Sequence, residues 1–350
     1  MMMLRHAVGG HARIVVPKLK TKKTILTAIT TSLVQLHQQQ RGFRMEKKAH
    51  DEMHSRSVSP ATREGFWKDQ ASQLHWIREP KKILDLSRPS FPRWFVDGEI
   101  NACYNCVDRH VHEGRGDQLA IIYDSPVSGV KTKMTFKELL DQVEKFAGVL
   151  KDTCKVRKGD PVVIYMPMIP EAVVAMLACA RLGAPHSVVF GGFASRELAI
   201  RIEDVKAKVV VSASCGIEPN RVVEYGPLLK GALDQSKHRP DVVISKHRSP
   251  THTRPDLPPK SATPLGFLDW DLEMSKAQNA AVTPVLSTDP LYVLYTSGST
   301  GTPKGIVRDT GGYCTSMSFC MDLLMKARKG DVFFSTSDVG WVVGHVSVVV

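Results

Sequence analysis

The apolar positions of this chain change period along its length. Leu119-Ala120-Ile121-Ile122-Tyr123 is a short apolar run that predicts a strand. Beyond Thr135 the spacing becomes helical, with Leu139, Leu140, Val143, Phe146, Ala147 and Leu150 on one stripe. Thr135, with Glu138 three residues on, reads as a capping box that starts this helix. From Gly159 the two patterns alternate. Pro161–Met166, Ser187–Phe190, Val209–Ser212 and Asp241–Ser245 predict strands. Pro170–Leu182 predicts a helix, with proline near its start and Gly183 just past its end. Ser195–Ala207 and Arg221–Gln235 predict two more, the second with a weak point at Gly226-Pro227. Leu291-Tyr292-Val293-Leu294 reads as a buried strand. Strands alternating with helices imply an α/β fold with a parallel sheet and right-handed crossovers. Ligands on such sheets sit beyond the carboxyl ends of the strands. Gly191-Gly192-Phe193 and Ser212–Arg221, each after a strand, are therefore candidate site loops.

Residues 61–118 show no clean period. Phe66, Trp67, Trp76, Phe91, Trp94 and Phe95 alternate with polar residues there. Rings of that size need a large partner, so the segment is expected to wrap onto the main domain. Residues 246–263, rich in Lys, Arg, His, Pro and Ser, read as a loop. No internal repeat is visible.

Charge changes the picture at one place. The chain of 350 residues carries +12, and residues 1–44 hold Arg5, Arg13, Lys18, Lys20, Lys22, Lys23, Arg41 and Arg44 without one Asp or Glu. Most of the basicity thus lies in the tail, which argues against a nucleic-acid partner. The tail, with a Thr/Ser-bearing apolar stretch from Thr24 to Leu36, reads as a mitochondrial presequence or else a basic arm. If cleaved, the mature chain is expected to start near Gly42 to Ala49. No run approaches the ~18 apolar residues of a membrane span. Seven cysteines at irregular spacing fit reduced thiols. Cys103-x-x-Cys106 lacks the second half of a zinc site, so no metal is assigned to it.

The chemistry concentrates after the last apolar strand. Tyr295-Thr296-Ser297-Gly298-Ser299-Thr300-Gly301-Thr302-Pro303-Lys304-Gly305 combines glycines, hydroxyls and one lysine. Glycines let backbone N–H groups turn toward an anion, hydroxyls add donors and lysine adds a charge. Ser297–Lys304 is therefore a candidate polyphosphate loop. It is not a Walker loop, because Lys304 precedes its glycine and no hydroxyl follows.

This stretch resembles the signature loop of the AMP-forming acyl-CoA synthetases in the adenylate-forming superfamily. Phe66-Trp67, Val189-Phe190-Gly191-Gly192-Phe193 and Ser337-Asp338-Val339-Gly340-Trp341-Val342-Val343-Gly344-His345 resemble motifs of the acetyl-CoA synthetase branch. The likeness covers residues ~61–345. Ser214-Cys215-Gly216-Ile217-Glu218-Pro219-Asn220-Arg221 and Lys304-Gly305-Ile306-Val307-Arg308-Asp309 resemble the propionate-type, short-chain branch. In acetate-type relatives the first of these carries two arginines; here Glu218 stands at the first position and Arg221 at the second.

The resemblance implies the N-terminal part of the adenylate-forming large domain: a βαβ subdomain with a parallel sheet plus an N-terminal irregular and helical wrap. Residues 1–44 would be a targeting tail, 61–118 an acetyl-CoA-synthetase-type N-terminal region and 119–350 a partial AMP-binding domain, with the family's small C-terminal domain and its adenylation lysine not included. The implied reaction joins a short-chain carboxylate, acetate or propionate, to CoA through an acyl-adenylate, with ATP, CoA and Mg²⁺ as cofactors and co-substrates. Thr296, Ser297, Gly298, Ser299, Thr300, Gly301 and Lys304 would bind the ATP phosphates. Glu218, Pro219, Asn220 and Arg221 would bind CoA, and Val342 and Val343 would line the acyl pocket or its approach. Trp341 and His345 read as structural. The chain alone is expected to be inactive, and association with the full-length protein is an expected partner interaction. Two other readings stay open: an adenylating enzyme that does not use CoA, and a non-catalytic nucleotide-, CoA- or partner-binding fragment.

Overall fold

A computed structural model describes residues 47–248, 263–296 and 303–348. The chain divides into two compact units, 1–63 and 64–350. Of the first, the described part is an exposed helix over residues 47–58 followed by a short turn. The presequence-like tail lies outside the described residues.

The second unit is built on a seven-stranded sheet. Its strands are β1 (Val162–Met166), β2 (His186–Phe190), β3 (Val209–Ala213), β4 (Val242–Lys246), β5 (Phe267–Asp269), β6 (Pro290–Thr296) and β7 (Lys304–Asp309), in the spatial order β5-β4-β3-β1-β2-β6-β7. All neighbours are parallel except β6 and β7, which form an antiparallel pair. The run of Val and Ile in β1, β3 and β4 follows from this: those strands are buried on both faces. The helices are α1 (Phe136–Gly148), α2 (Pro170–Leu182), α3 (Ser195–Val205), α4 (Tyr225–Gln235), α5 (Trp270–Lys276), α6 (Thr310–Phe319) and α7 (Val342–Val348).

Local signals set most boundaries. Thr135 and Glu138 form the expected capping box at the start of α1. Gly183 ends α2 with φ +66°, and the N–H of Ala184 reaches back to Cys179. Two expectations are corrected. Helix α3 stops at Val205, not Ala207, because Lys206 turns into the left-handed region (φ 54°) and the N–H of Ala207 closes back on Ile202. Arg221–Glu224 is a strand rather than the first turn of a helix. It pairs antiparallel with Cys215–Glu218, and β-branched Val222 and Val223 suit that extended form. Helix α4 then begins at Tyr225, so Pro227 falls in the first turn, where its missing N–H costs nothing. The strand expected at 119–123 is the first arm of a hairpin, Leu119–Ser125 with Val130–Thr135.

Residues 64–118 contain more regular structure than their composition suggests. Helix Arg63–Ala71 leads into the second unit, two short strand pairs follow, and Glu99–Ile100 also pairs with Val285–Leu286. Trp76, Phe95 and Ile100 are buried in the same core as the sheet. Phe66 and Trp67 meet Trp94 and Phe319 in an aromatic cluster. Phe91, expected to pack with them, is 75% exposed. Apolar exposure is concentrated toward β7 and beyond it, at Ile306, Val307, Val332, Phe334 and Val343. None of the seven cysteines is in a disulfide. Cys103 is taken up by the buried Asp108 and Arg181, 3.8 Å away from each.

Candidate functional site at the carboxyl edge of the sheet

Because β1, β2, β3, β4 and β6 run parallel, their carboxyl ends share one edge, and antiparallel β7 begins there. The loops singled out by sequence therefore open on the same side. Strands β3 and β6, which lead into the hairpin and the glycine-rich stretch, are three strand intervals apart, ~14 Å at ~4.8 Å per strand. The Gly191-Gly192-Phe193 loop lies between them, after β2.

Tyr225 supports two of these loops from below. Its ring is buried and stacks on Tyr165 at 4.7 Å. A Cβ added at Gly191 would collide with Tyr225 Oη and sit 3.2 Å from the Met166 carbonyl, and one at Gly216 would lie 3.1 Å from the same Oη. The approach requires glycine at 191, whereas at 216 a side chain would need only a small shift of Tyr225. Tyr165 Oη donates to the Phe193 carbonyl at 2.7 Å, which fixes the far end of the loop. Phe190, Phe193 and Trp341 then form an aromatic lid on the end of β2. Next to Trp341, the Val339 N–H meets Met168 Sδ.

The glycine-rich stretch is anchored at both ends. Tyr295 pairs with Gly305 and Thr296 with Lys304 across β6 and β7, so 297–303 is the connection of an antiparallel pair. Tyr295 Oη donates to the Asp204 carboxylate, and the Arg201 guanidinium lies 5.1 Å from its ring and 4.8 Å from that of Phe193. Helix α3 thus braces the strand just before the loop. Ser297, Gly298, Ser299, Thr300 and Gly301 fall outside the described residues, so the cradle is known here by its ends. Lys304 is exposed at the start of β7.

The third element is the hairpin Cys215–Glu218 with Arg221–Glu224, whose turn is Pro219-Asn220. Its base is tied down from two sides. The Tyr225 N–H donates to the Ser214 carbonyl, and Arg248 donates from its backbone to Ser214 Oγ and from Nη1 to the Cys215 carbonyl at 3.0 Å. At its tip Arg221 Nε donates to Glu218 Oε2 at 2.7 Å. Beside it, Lys246 at the end of β4 sits between Asp271 (2.6 Å) and Glu171 (3.4 Å).

Val342 and Val343 stand in the first turn of α7, both exposed. Val342 borders a cavity of about 420 Å³ together with Trp94, Tyr292, Arg308, Tyr313 and Met317. Trp341 packs in the aromatic lid. His345 is fully buried, stacked on His186 at 5.5 Å.

Tyr225, Arg248, Asp204 and Arg201 were not flagged by sequence. Each acts on a segment at least seven residues away through packing, a side-chain hydrogen bond or a backbone contact, and none belongs to a residue pattern.

Residues 107–350 match the profile of the AMP-binding enzyme family, and residues 50–106 match the acetyl-coenzyme A synthetase N-terminus. The chain belongs to the AMP-binding enzymes. This AMP-binding enzyme is 51% identical over 282 residues to human acyl-CoA synthetase short-chain family member 3, mitochondrial, an alignment covering 81% of this chain and 40% of the relative. It is 47% identical over 285 residues to the mitochondrial acyl-CoA synthetase short-chain family member B of Dictyostelium discoideum (80% and 41%) and 42% identical over 292 residues to an acetyl-coenzyme A synthetase of Streptomyces coelicolor (83% and 43%). The chain spans about 40% of the length of these curated relatives. In fold it matches an acetoacetyl-CoA synthetase from Streptomyces lividans with a TM-score of 0.71 at 24% identity, over 87% of this chain and 47% of that one.

Proposed function

We propose that this AMP-binding enzyme carries the nucleotide- and CoA-binding elements of an AMP-forming short-chain acyl-CoA ligase. The observation that carries this reading is the placement on one sheet edge of the Gly191-Gly192 loop, the Arg221 hairpin and the two ends of the β6–β7 connection, Thr296 and Lys304. A carboxylate attacks the α-phosphate of ATP and releases pyrophosphate, and the CoA thiol then displaces AMP. Neither step needs a protein nucleophile, so positioning and charge neutralisation suffice. Thr296, Ser297, Gly298, Ser299, Thr300, Gly301 and Lys304 would hold the departing phosphates. Mg²⁺ would arrive on the nucleotide; such an ion keeps most of its oxygens from phosphate and water, and among the described residues no three carboxylates, imidazoles or thiols converge to cage one. Glu218, Pro219, Asn220 and Arg221 would meet a CoA phosphate, and Val342 and Val343 the acyl chain or its approach.

The substrate is proposed as a short-chain acid of the acetate or propionate class. Residues 1–44 are proposed to direct the protein to the mitochondrial matrix, a location supported in part by the names of its relatives. The complete ligation is proposed for a polypeptide of the relatives' length. The 350 residues alone are expected to bind MgATP without turning it over. Equilibrium binding of MgATP, lost in Lys304→Met, and the absence of pyrophosphate release with ATP, CoA and propionate are the expected results. Substrate-dependent pyrophosphate release from the purified chain would overturn the inactive assignment. ATP binding that ignores Lys304→Met would overturn the phosphate-loop assignment.

A further inference from the structure

The hairpin at the end of β3 holds a pair of charges that its fold does not need. Glu218 and Arg221 face each other across the two-residue turn Pro219-Asn220, joined at 2.7 Å. Both side chains are open to water, Arg221 by 71% and Glu218 by 43%. An exposed pair of this kind adds little stability. The hairpin is already secured at its base by Tyr225 and by both contacts from Arg248. Its consequence is local. Glu218 occupies the Nε edge of the guanidinium, which fixes its plane, and leaves a negative charge beside any phosphate that approaches it. Arg221 can still offer its outer edge for a bidentate contact.

We propose that Glu218 is a positioning residue that weakens and orients the Arg221 contact, so that CoA is held loosely. This rests on the assignment of the hairpin to a CoA phosphate. The acid acts through Arg221: it partly cancels that charge, and it repels only a phosphate that Arg221 has drawn in.

Calorimetric titration of the 350-residue chain with CoA, at low and high ionic strength, tests this in Glu218→Gln, Arg221→Gln and the double variant. Both positions lie at an exposed turn, and circular dichroism checks that each variant keeps the parent's fold. Glu218→Gln should tighten CoA about two- to fivefold at low salt, the range an exposed charge contact supports, and the gain should shrink at high salt. Arg221→Gln should weaken CoA, and in that background Glu218→Gln should gain little. If Arg221→Gln weakens CoA while Glu218→Gln leaves it unchanged or weaker, the proposal fails and the hairpin assignment stands. An equal gain with and without Arg221 also overturns it, since Glu218 would then act alone. If Arg221→Gln has no effect, or the chain binds no CoA, the hairpin assignment itself falls.

Discussion

Gly191 shows how one residue ties a site loop to the core. The backbone passes so close to Tyr225 Oη and the Met166 carbonyl that no side chain fits. Gly191→Ala must push Tyr225 or the loop aside, and overpacking of this kind typically costs ~1–3 kcal/mol. Removing the hydroxyl relieves the worst contact, because the next atom of Tyr225, Cζ, would lie 3.4 Å from the new Cβ. Gly191→Ala is therefore expected to destabilise the chain by about that amount in urea denaturation, and Tyr225→Phe in the same background to recover part of it. Equal stability of Gly191→Ala and the parent would show that the loop is not held against Tyr225. The sequence marks Gly191-Gly192 as a loop after a strand, because that signal is local. It does not mark Tyr225, which comes from a helix on the far side of the next strand.

At the scale of elements, the wrap is fastened to the carboxyl end of α2. The Asn101 amide donates to the carbonyls of Ala180 and Arg181, at the end of the helix, and to that of Thr283 before β6. Arg181, 3% exposed, binds Asp108 at 2.8 Å and Glu144 at 2.7 Å, and its Nε donates to the Ala280 carbonyl. One side chain thus joins the wrap, α1, α2 and the segment before β6. Arg181→Met would strand the buried Asp108 carboxylate, a loss of ~3–5 kcal/mol for a broken buried pair. Arg181→Met with Asp108→Leu should regain a large share, because the buried carboxylate is gone and Glu144, the other partner of Arg181, is partly open to water and keeps the Asn279 amide. Urea midpoints of the two variants check this, and an equal loss in both would show that the ion pair is not the fastening. Thr135, Pro170 and Gly183 announced their helix ends because caps are written in adjacent residues. Asn101, Asp108 and Arg181 form one cluster only after the chain has doubled back. The strand Arg221–Glu224 was hidden for a related reason: its apolar residues run in step with those of α4, and its partner lies just before it. Strand β7 was hidden because adjacent Ile306 and Val307 break the alternation that would have marked it.

For the molecule as a whole, acid is the condition expected to loosen α7 from the sheet. His186 opens β2 opposite Tyr292 of β6, and His345 of α7 stacks on it with Tyr292 4.6 Å away. Neither ring nitrogen of His186 has a hydrogen-bond partner among the described residues. Burial pushes both imidazoles down, His345 to about 4 and His186 well below its ordinary value. In the unfolded chain each would titrate near ~6.5. As pH falls through that value the unfolded state takes up protons that the folded state refuses until about 4, so stability declines across the interval. For His345 alone the loss from pH 7 to pH 5 is roughly 2 kcal/mol. Carboxylates such as Asp85, held low by Lys82 and Arg93, give up their contribution only at more acid pH. Asp309 and Asp338, pushed up by burial, act in the opposite sense. The net slope therefore needs a variant to assign it. Urea denaturation at pH 7, 6 and 5 should show a falling stability in the parent and a flatter profile in His345→Phe, whatever that variant's stability at pH 7. Identical slopes in the two would mean that His345 does not carry the acid sensitivity.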